Sequence, residues 1–173
     1  MFSKFINWFS DVKNTFFRKV LEIFIDIDKR VELPKYNDET FSNYIKKNND
    51  QVEVQAPAFG RKVVIYSTCF VNFNKKSTGV AALKVLKKNG VEVQHAYPGC
   101  CGMPYLEQAE PQKVCDQAIK ISKELLKWVE KGYEVITLTA SCGLMLKFEW
   151  PLLLPDNEGI KKLSKKTKDI DEH

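Results

Sequence analysis

Two adjacent cysteines, Cys100-Cys101, sit in a loop bracketed by Pro98-Gly99 and Gly102, with Cys69 upstream and Cys142 downstream. Each of these thiols follows a short run of β-type residues: Val63-Val64-Ile65-Tyr66, Val91–Gln94 and Tyr133–Leu138. In open α/β sheets, ligands bind beyond the carboxyl ends of the strands. Cysteines that follow strand ends are therefore delivered to one edge of such a sheet, and that constraint governs the reading of the whole chain.

The segments between the strands have helical periodicity. Ser77–Asn89 carries Val80, Leu83, Val85 and Leu86 as a helix and ends at Asn89-Gly90, a common helix stop. Pro111–Lys131 opens with proline in its first turn and carries the stripe Val114, Ala118, Ile121 and Leu125. Gly143–Glu149 reads as a short helix ended by Pro151. Strands alternating with helices predict an α/β fold, a small parallel sheet flanked by helices in a three-layer arrangement. That domain is expected over residues 61–160, followed by a polar, solvated tail at 161–173.

Residues 1–30 read as an amphipathic helix or helix pair, dense in aromatics (Phe2, Phe5, Trp8, Phe9, Phe16, Phe17). Residues 31–60 form a connector, with a break at Leu33-Pro34-Lys35, one short docked helix begun near Asp38 or Thr40, and loop over Lys46–Gln55. Charged residues interrupt the apolar runs at Lys4, Asp11, Lys13, Arg18 and Lys19, so neither a secretory signal nor a membrane span is expected. Five cysteines without a secretory signal imply a reducing, cytoplasmic setting, where thiols serve as ligands or catalysts. The net charge of +5 is mild and lacks the basic–aromatic alternation of a nucleic-acid groove, so no nucleic-acid partner is expected.

Thiolates are soft ligands that suit iron–sulfur clusters, zinc and copper(I). Clusters are usually held by four cysteines, and Cys69, Cys100, Cys101 and Cys142 are the candidate ligands. Gly102 shapes the loop and lets backbone N–H groups approach sulfur. Cys115 lies mid-helix among apolar neighbours and reads as a small buried hydrophobe. His95 ends the second strand and reads as a satisfied surface histidine. Asn72 and Asn74 either hydrogen-bond near the site or make a turn. No phosphate-binding glycine loop, nucleophile elbow or His-Glu-x-x-His motif is present.

Cys69-Phe70-Val71-Asn72-Phe73-Asn74, Cys100-Cys101-Gly102-Met103-Pro104, and Ser141-Cys142 with Leu146-Lys147 and Glu149-Trp150-Pro151 resemble the cysteine-rich CCG domain. This is the domain type of heterodisulfide reductase B subunits, and the likeness is nearest to the first such domain of the anaerobic glycerol-3-phosphate dehydrogenase C-subunit type. The resemblance implies an iron–sulfur module of an electron-transfer subunit, working with a flavoprotein dehydrogenase subunit. Subunits of that type carry ferredoxin-like cluster runs and a second CCG domain. Here the sequence looks like the middle third, with ferredoxin-like domains expected on other chains. Met145 replaces the last cysteine of the general pattern, so four ligands and a 4Fe–4S type cluster are expected rather than a five-cysteine centre. The resemblance also implies peripheral contact of residues 1–30 with the inner face of the cell membrane. The rival readings are a zinc-stapled or metal-free interaction module, and a thiol–disulfide redox protein using Cys100-Cys101.

Overall fold

A computed structural model describes residues 2–48 and 56–173 of the 173-residue chain. Residues 49–55, most of the loop expected over Lys46–Gln55, lie outside the described residues. Four parallel strands, β1 (Lys62–Tyr66), β2 (Glu92–Ala96), β3 (Glu134–Thr137) and β4 (Thr167–Asp169), form one sheet in the order β2-β1-β3-β4. The chain is thus the expected α/β fold.

Strand β1 alternates between two cores, as its pleat requires. Val64 and Tyr66 face one side with Val135, while Val63 and Ile65 face the other with Ile136. The first core is closed by helix α6 (Pro111–Glu130), which inserts Val114, Ala118, Ile121 and Leu125, and by α9 (Glu158–Lys166), which inserts Ile160 and Leu163. The second is closed by α3 (Phe41–Lys47) and α4 (Lys76–Lys88), through Phe41, Leu83 and Leu86. Both faces of the inner strands are covered, so Val63–Tyr66 of β1 and Val135-Ile136 of β3 are apolar without alternation. Thr40 caps α3, its hydroxyl accepting from the Asn43 amide at 3.2 Å, in agreement with the expected start.

Two short helices, α5 (Met103–Glu107) and α7 (Ala140–Leu144), and two π-helical turns, 70–74 and 145–149, lie beyond the carboxyl ends of the strands. The turn at 145–149 runs into α8 (Trp150–Leu153). Pro151 therefore does not end the helix. It stands in the first turn of α8, where a missing amide costs little.

The segment 161–173, expected to be a solvated tail, is instead part of the fold. Its first half continues α9, whose Ile160 and Leu163 are fully buried, and Thr167–Asp169 is the edge strand β4. Lysines at 161, 162, 165, 166 and 168 masked this, because the buried stripe on α9 is narrow and β4 is only three residues long.

The first residues form a helix pair, α1 (Phe2–Phe9) and α2 (Thr15–Ile25). Phe17 packs against Phe9 and Trp8, with ring centroids 4.7 and 5.5 Å apart. The Arg18 side chain is buried and donates to the carbonyls of Asp28, Lys29 and Val31, tying α2 to the turn that follows it. Asn7 and Tyr36 exchange two hydrogen bonds of 2.8 Å, which fasten α1 to the connector. The connector in turn meets the first π turn, where Asn37 N donates to Phe73 O and Asn74 Nδ2 donates to Lys35 O. Much of the arm's aromatic surface, including Phe2, Phe5, Phe16 and Phe24, is left exposed. Among the described residues, no helix is long and apolar enough to cross a membrane.

Candidate metal centre

The sheet order makes β1 and β3 neighbours, with β2 on the far side of β1. The loops that follow these three strands therefore open side by side at one edge. Cys69 starts the π turn after β1, Cys100-Cys101 occupy the loop after β2, and Cys142 lies in α7 after β3. The segments after β1 and β3 are joined directly, since the hydroxyls of Thr68 and Thr139 share a hydrogen bond of 2.9 Å. Each of these segments passes into a π turn, a distortion that recurs at functional sites.

The four thiols form a connected chain. Cys101 and Cys142 are buried with their sulfurs 3.2 Å apart. Cys100 hydrogen-bonds to Cys101 on one side and to Cys69 on the other, and both Cys69 and Cys100 are half-buried. Besides the Cys69 amide, three donors point at this chain from the protein. Tyr97 donates its hydroxyl to Cys69, Gly102 its amide to Cys100, and Met103 its amide to Cys101. Gly102 reaches that position at φ +91°, a left-handed conformation that costs other residues about 1–2 kcal/mol. The role expected for this glycine is consistent with that geometry.

Below the thiols the scaffold is tightly held. Trp150 is fully buried and donates its indole N–H to the Cys101 carbonyl at 3.0 Å. The Tyr66 hydroxyl donates to the Gly99 carbonyl at 2.7 Å, so strand β1 supports the cysteine loop from beneath. A Cβ on Gly143 would lie 2.2 Å from Asp169 Oδ1, so only glycine lets α7 sit against β4. Met145 is fully buried in the same core as Cys101 and Cys142. The position that holds the last cysteine of the general pattern is thus filled here by a core thioether.

Cys69, Cys100 and Cys101 are held in the protonated form. Contact with Cys100, then burial, pushes the Cys69 pKa far up. The Cys101 pKa is drawn down by Cys100, but contact with Cys142 and burial outweigh this and push it up to about 12. The Tyr66 phenol is also raised, first by burial and then by the surrounding thiols. Binding a metal here must therefore displace protons, which makes loading favoured by rising pH.

Among the described residues, no three Cys, His, Asp or Glu side chains are arranged to hold a metal ion as they stand. The sulfurs form a line of contacts instead of a shell. Ligands of one tetrahedral zinc would stand about 3.8 Å apart, given Zn–S bonds of about 2.3 Å. The observed 3.2 Å between Cys101 and Cys142 is shorter by roughly 0.6 Å. The donor chemistry, four soft sulfurs with backbone and phenol N–H and O–H groups aimed at them, fits a thiolate-bound centre.

Cys115 has no part in the thiol chain, but it is half-buried on α6 and not the fully buried residue expected. His95 is less a surface residue than a satisfied interior one. Its Nε2 lies 2.6 Å from Ser67 Oγ and 3.2 Å from Ser42 Oγ, and burial, then Lys46, pushes its pKa down to about 4. Asn72 Oδ1 accepts from both the amide and hydroxyl of Ser42, and Asn74 binds the connector, so neither approaches the sulfurs through the contacts it makes. The sequence reading missed Thr68, Thr139, Tyr97 and the constraint on Gly143. The threonines were visible as Thr-Cys after β1 and Thr-Ala-Ser-Cys after β3, but nothing in the sequence says that β1 and β3 are neighbours.

The chain is 32% identical over 147 residues to the C subunit of the anaerobic glycerol-3-phosphate dehydrogenase of Escherichia coli, covering 83% of this chain and 36% of that protein. It is 33% identical over 87 residues to lactate utilization protein A of Macrococcus caseolyticus, covering 50% of this chain and 34% of that protein. It is 30% identical over 96 residues to the B subunit of the fumarate reductase (CoM/CoB) of Methanothermobacter marburgensis, covering 53% of this chain and 18% of that protein. The chain thus spans about a third or less of the length of these relatives. No solved structure gives a significant match. The profile of the CCG cysteine-rich domain matches residues 63–147, from the first core residue of β1 to the second π turn. Through residues 63–147, therefore, this chain belongs to the CCG cysteine-rich domain family.

Proposed function

We propose that Cys69, Cys100, Cys101 and Cys142 hold an iron–sulfur cluster of the 4Fe–4S type, and that the chain passes electrons within an oxidoreductase complex. The observation that supports this most directly is the unbroken run of thiol contacts from Cys69 to Cys142 at the carboxyl edge of the sheet. When bound, the cluster supplies one-electron storage at a potential set by its surroundings. The chain's own residues do the rest. The Gly102 and Met103 amides and the Tyr97 hydroxyl donate to sulfur and stabilise its negative charge. Trp150 and Tyr66 fix the cysteine loop from below.

Substrate chemistry in this reading belongs to a flavoprotein dehydrogenase partner, with further clusters on ferredoxin-like domains of other chains. The names of the relatives, subunits of a dehydrogenase and of a reductase, support membership of such a complex. The exposed aromatic side of α1 and α2 supports a peripheral seat on the inner face of the cell membrane, in the cytoplasm. Flotation with lipid vesicles tests that seat, and a chain that stays with the unbound fraction would remove it.

Anaerobic purification followed by iron, acid-labile sulfide and zinc analysis tests the cluster. Iron with sulfide in equal amounts is expected. Zinc alone would replace the cluster with a structural metal. Cys101→Ala is expected to abolish loading, and unchanged iron would reject its role as a ligand.

A further inference from the structure

The four thiols divide into two pairs of different exposure. Cys69 and Cys100 are half-buried and hydrogen-bonded to each other, while Cys101 and Cys142 are buried 3.2 Å apart. A disulfide needs its sulfurs at about 2.05 Å, so the inner pair lies about 1.1 Å from bonding distance. As a lasting product, the vicinal alternative is disfavoured by covalent geometry. Consecutive Cα atoms are fixed about 3.8 Å apart, below the roughly 4.4–6.8 Å that disulfides normally span.

We propose that the metal-free domain is a site of reversible oxidation, in which cross-loop disulfides Cys69–Cys100 and Cys101–Cys142 close the ligand set. The oxidant is a low-molecular-weight disulfide of the glutathione class. Cys100 attacks one of its sulfurs and expels one small thiol. Cys69 then attacks the Cys100 sulfur of the mixed disulfide and expels the second, leaving a Cys69–Cys100 bond. The contact order passes this oxidation inward. Cys101 attacks the Cys100 sulfur and frees Cys69 as a thiol, forming a transient, strained Cys100–Cys101 bond; Cys142 attacks the Cys101 sulfur, relieves that strain and frees Cys100. The inner pair is now bonded, and the outer pair is ready for a second small disulfide. Over the whole cycle four protein thiols become two disulfides, and two small disulfides become four small thiols. Only the consequence for metal loading rests on the cluster reading above; the pairing stands on sulfur contacts alone.

The full chain, stripped of metal under reducing conditions and then exposed to oxidised glutathione, tests the pairing by non-reducing proteolysis and mass spectrometry. Cross-links Cys69–Cys100 and Cys101–Cys142 are expected, with Cys115 the one cysteine outside them. A Cys100–Cys101 link as the lasting product, glutathione adducts without cross-links, or no oxidation overturns the proposal. Cys100→Ser is expected to slow closure of the inner pair at least tenfold. Closure at the wild-type rate overturns the inward relay. Oxidised protein is expected to take up no iron or zinc until reduced. If reduced protein also takes up neither metal while the cross-links map as expected, the cluster reading fails and the pairing survives.

Discussion

The segments that follow β1 and β3 have the same plan, a threonine, a cysteine and a π turn, yet they are anchored by opposite means. After β1 the support is polar. Asn72, buried in the π turn, binds Ser42 of α3, and Ser42 and Ser67 both meet the ring of His95. After β3 the support is largely apolar: Cys142, Gly143, Met145, Leu146 and Trp150 are all buried. The exposure of the thiols follows. Cys69 is left half-buried, and Cys142 is sealed in the core. The same local motif thus yields one accessible and one protected sulfur, because α3 and the connector cover one loop while α8 and α9 close the other.

The largest test of this contrast is Trp150→Ala. Losing a fully buried indole and its bond to the Cys101 carbonyl is expected to cost about 4 kcal/mol. Urea denaturation reads the loss, and iodoacetamide labelling of the reduced, metal-free chain should accelerate at Cys101 and Cys142 but not at Cys69. Equal acceleration at all sites would show that the two loops are not separately supported.

Gly143→Ala comes next. Its Cβ meets Asp169 Oδ1, which Thr137 already holds at 2.6 Å, while Lys147 holds Oδ2 at 3.4 Å. Displacing that carboxylate breaks both contacts, and about 3 kcal/mol of destabilisation is expected. A thermal midpoint within a degree of wild type would contradict the packing of α7 on β4.

On the β1 side, the comparison is sharpened by pH. His95 has its pKa lowered from 6.5 to about 4 by burial and then by Lys46, so between those values the unfolded chain binds more protons than the folded one. Stability should therefore fall as pH drops from about 6.5 towards 4, by up to about 3 kcal/mol from this group. In His95→Gln that slope should flatten. Stability curves that stay parallel for the two proteins would assign the acid sensitivity elsewhere.

The smallest effect is expected from Thr139→Val, which cuts the hydroxyl bridge between the two loops. About 1 kcal/mol is the usual scale for such a bond. A variant with unchanged stability would show that the loops are aligned by the sheet alone.

How much of this was legible depends on whether the cause was local. The strands at 62–66, 92–96 and 134–137 follow from apolar and β-branched runs, and α4 and α6 from their 3.6-residue stripes, so each was found within a residue or two. The α3 start was legible in Thr40 because a cap is a bond between residues three apart. Strand β4 was not, since Thr167-Lys168-Asp169 has no pattern of its own and is a strand only because β3 offers a free edge. The π turns were not either, as nothing in Phe70–Asn74 or Met145–Glu149 marks a π turn apart from an ordinary turn or helix.

The sequence by itself determined which atoms are available: four thiols after three strand segments, and glycines where the backbone must turn under them. Covalent order and side-chain chemistry are enough for that. Only the tertiary structure decided that β1 and β3 lie side by side, that Cys101 meets Cys142 across the loops, and that Tyr97, Trp150 and Asp169 hold those loops in place. Those relations join residues tens of positions apart, and what sets them is which apolar faces can be buried together, a quantity that no single stretch of the chain contains.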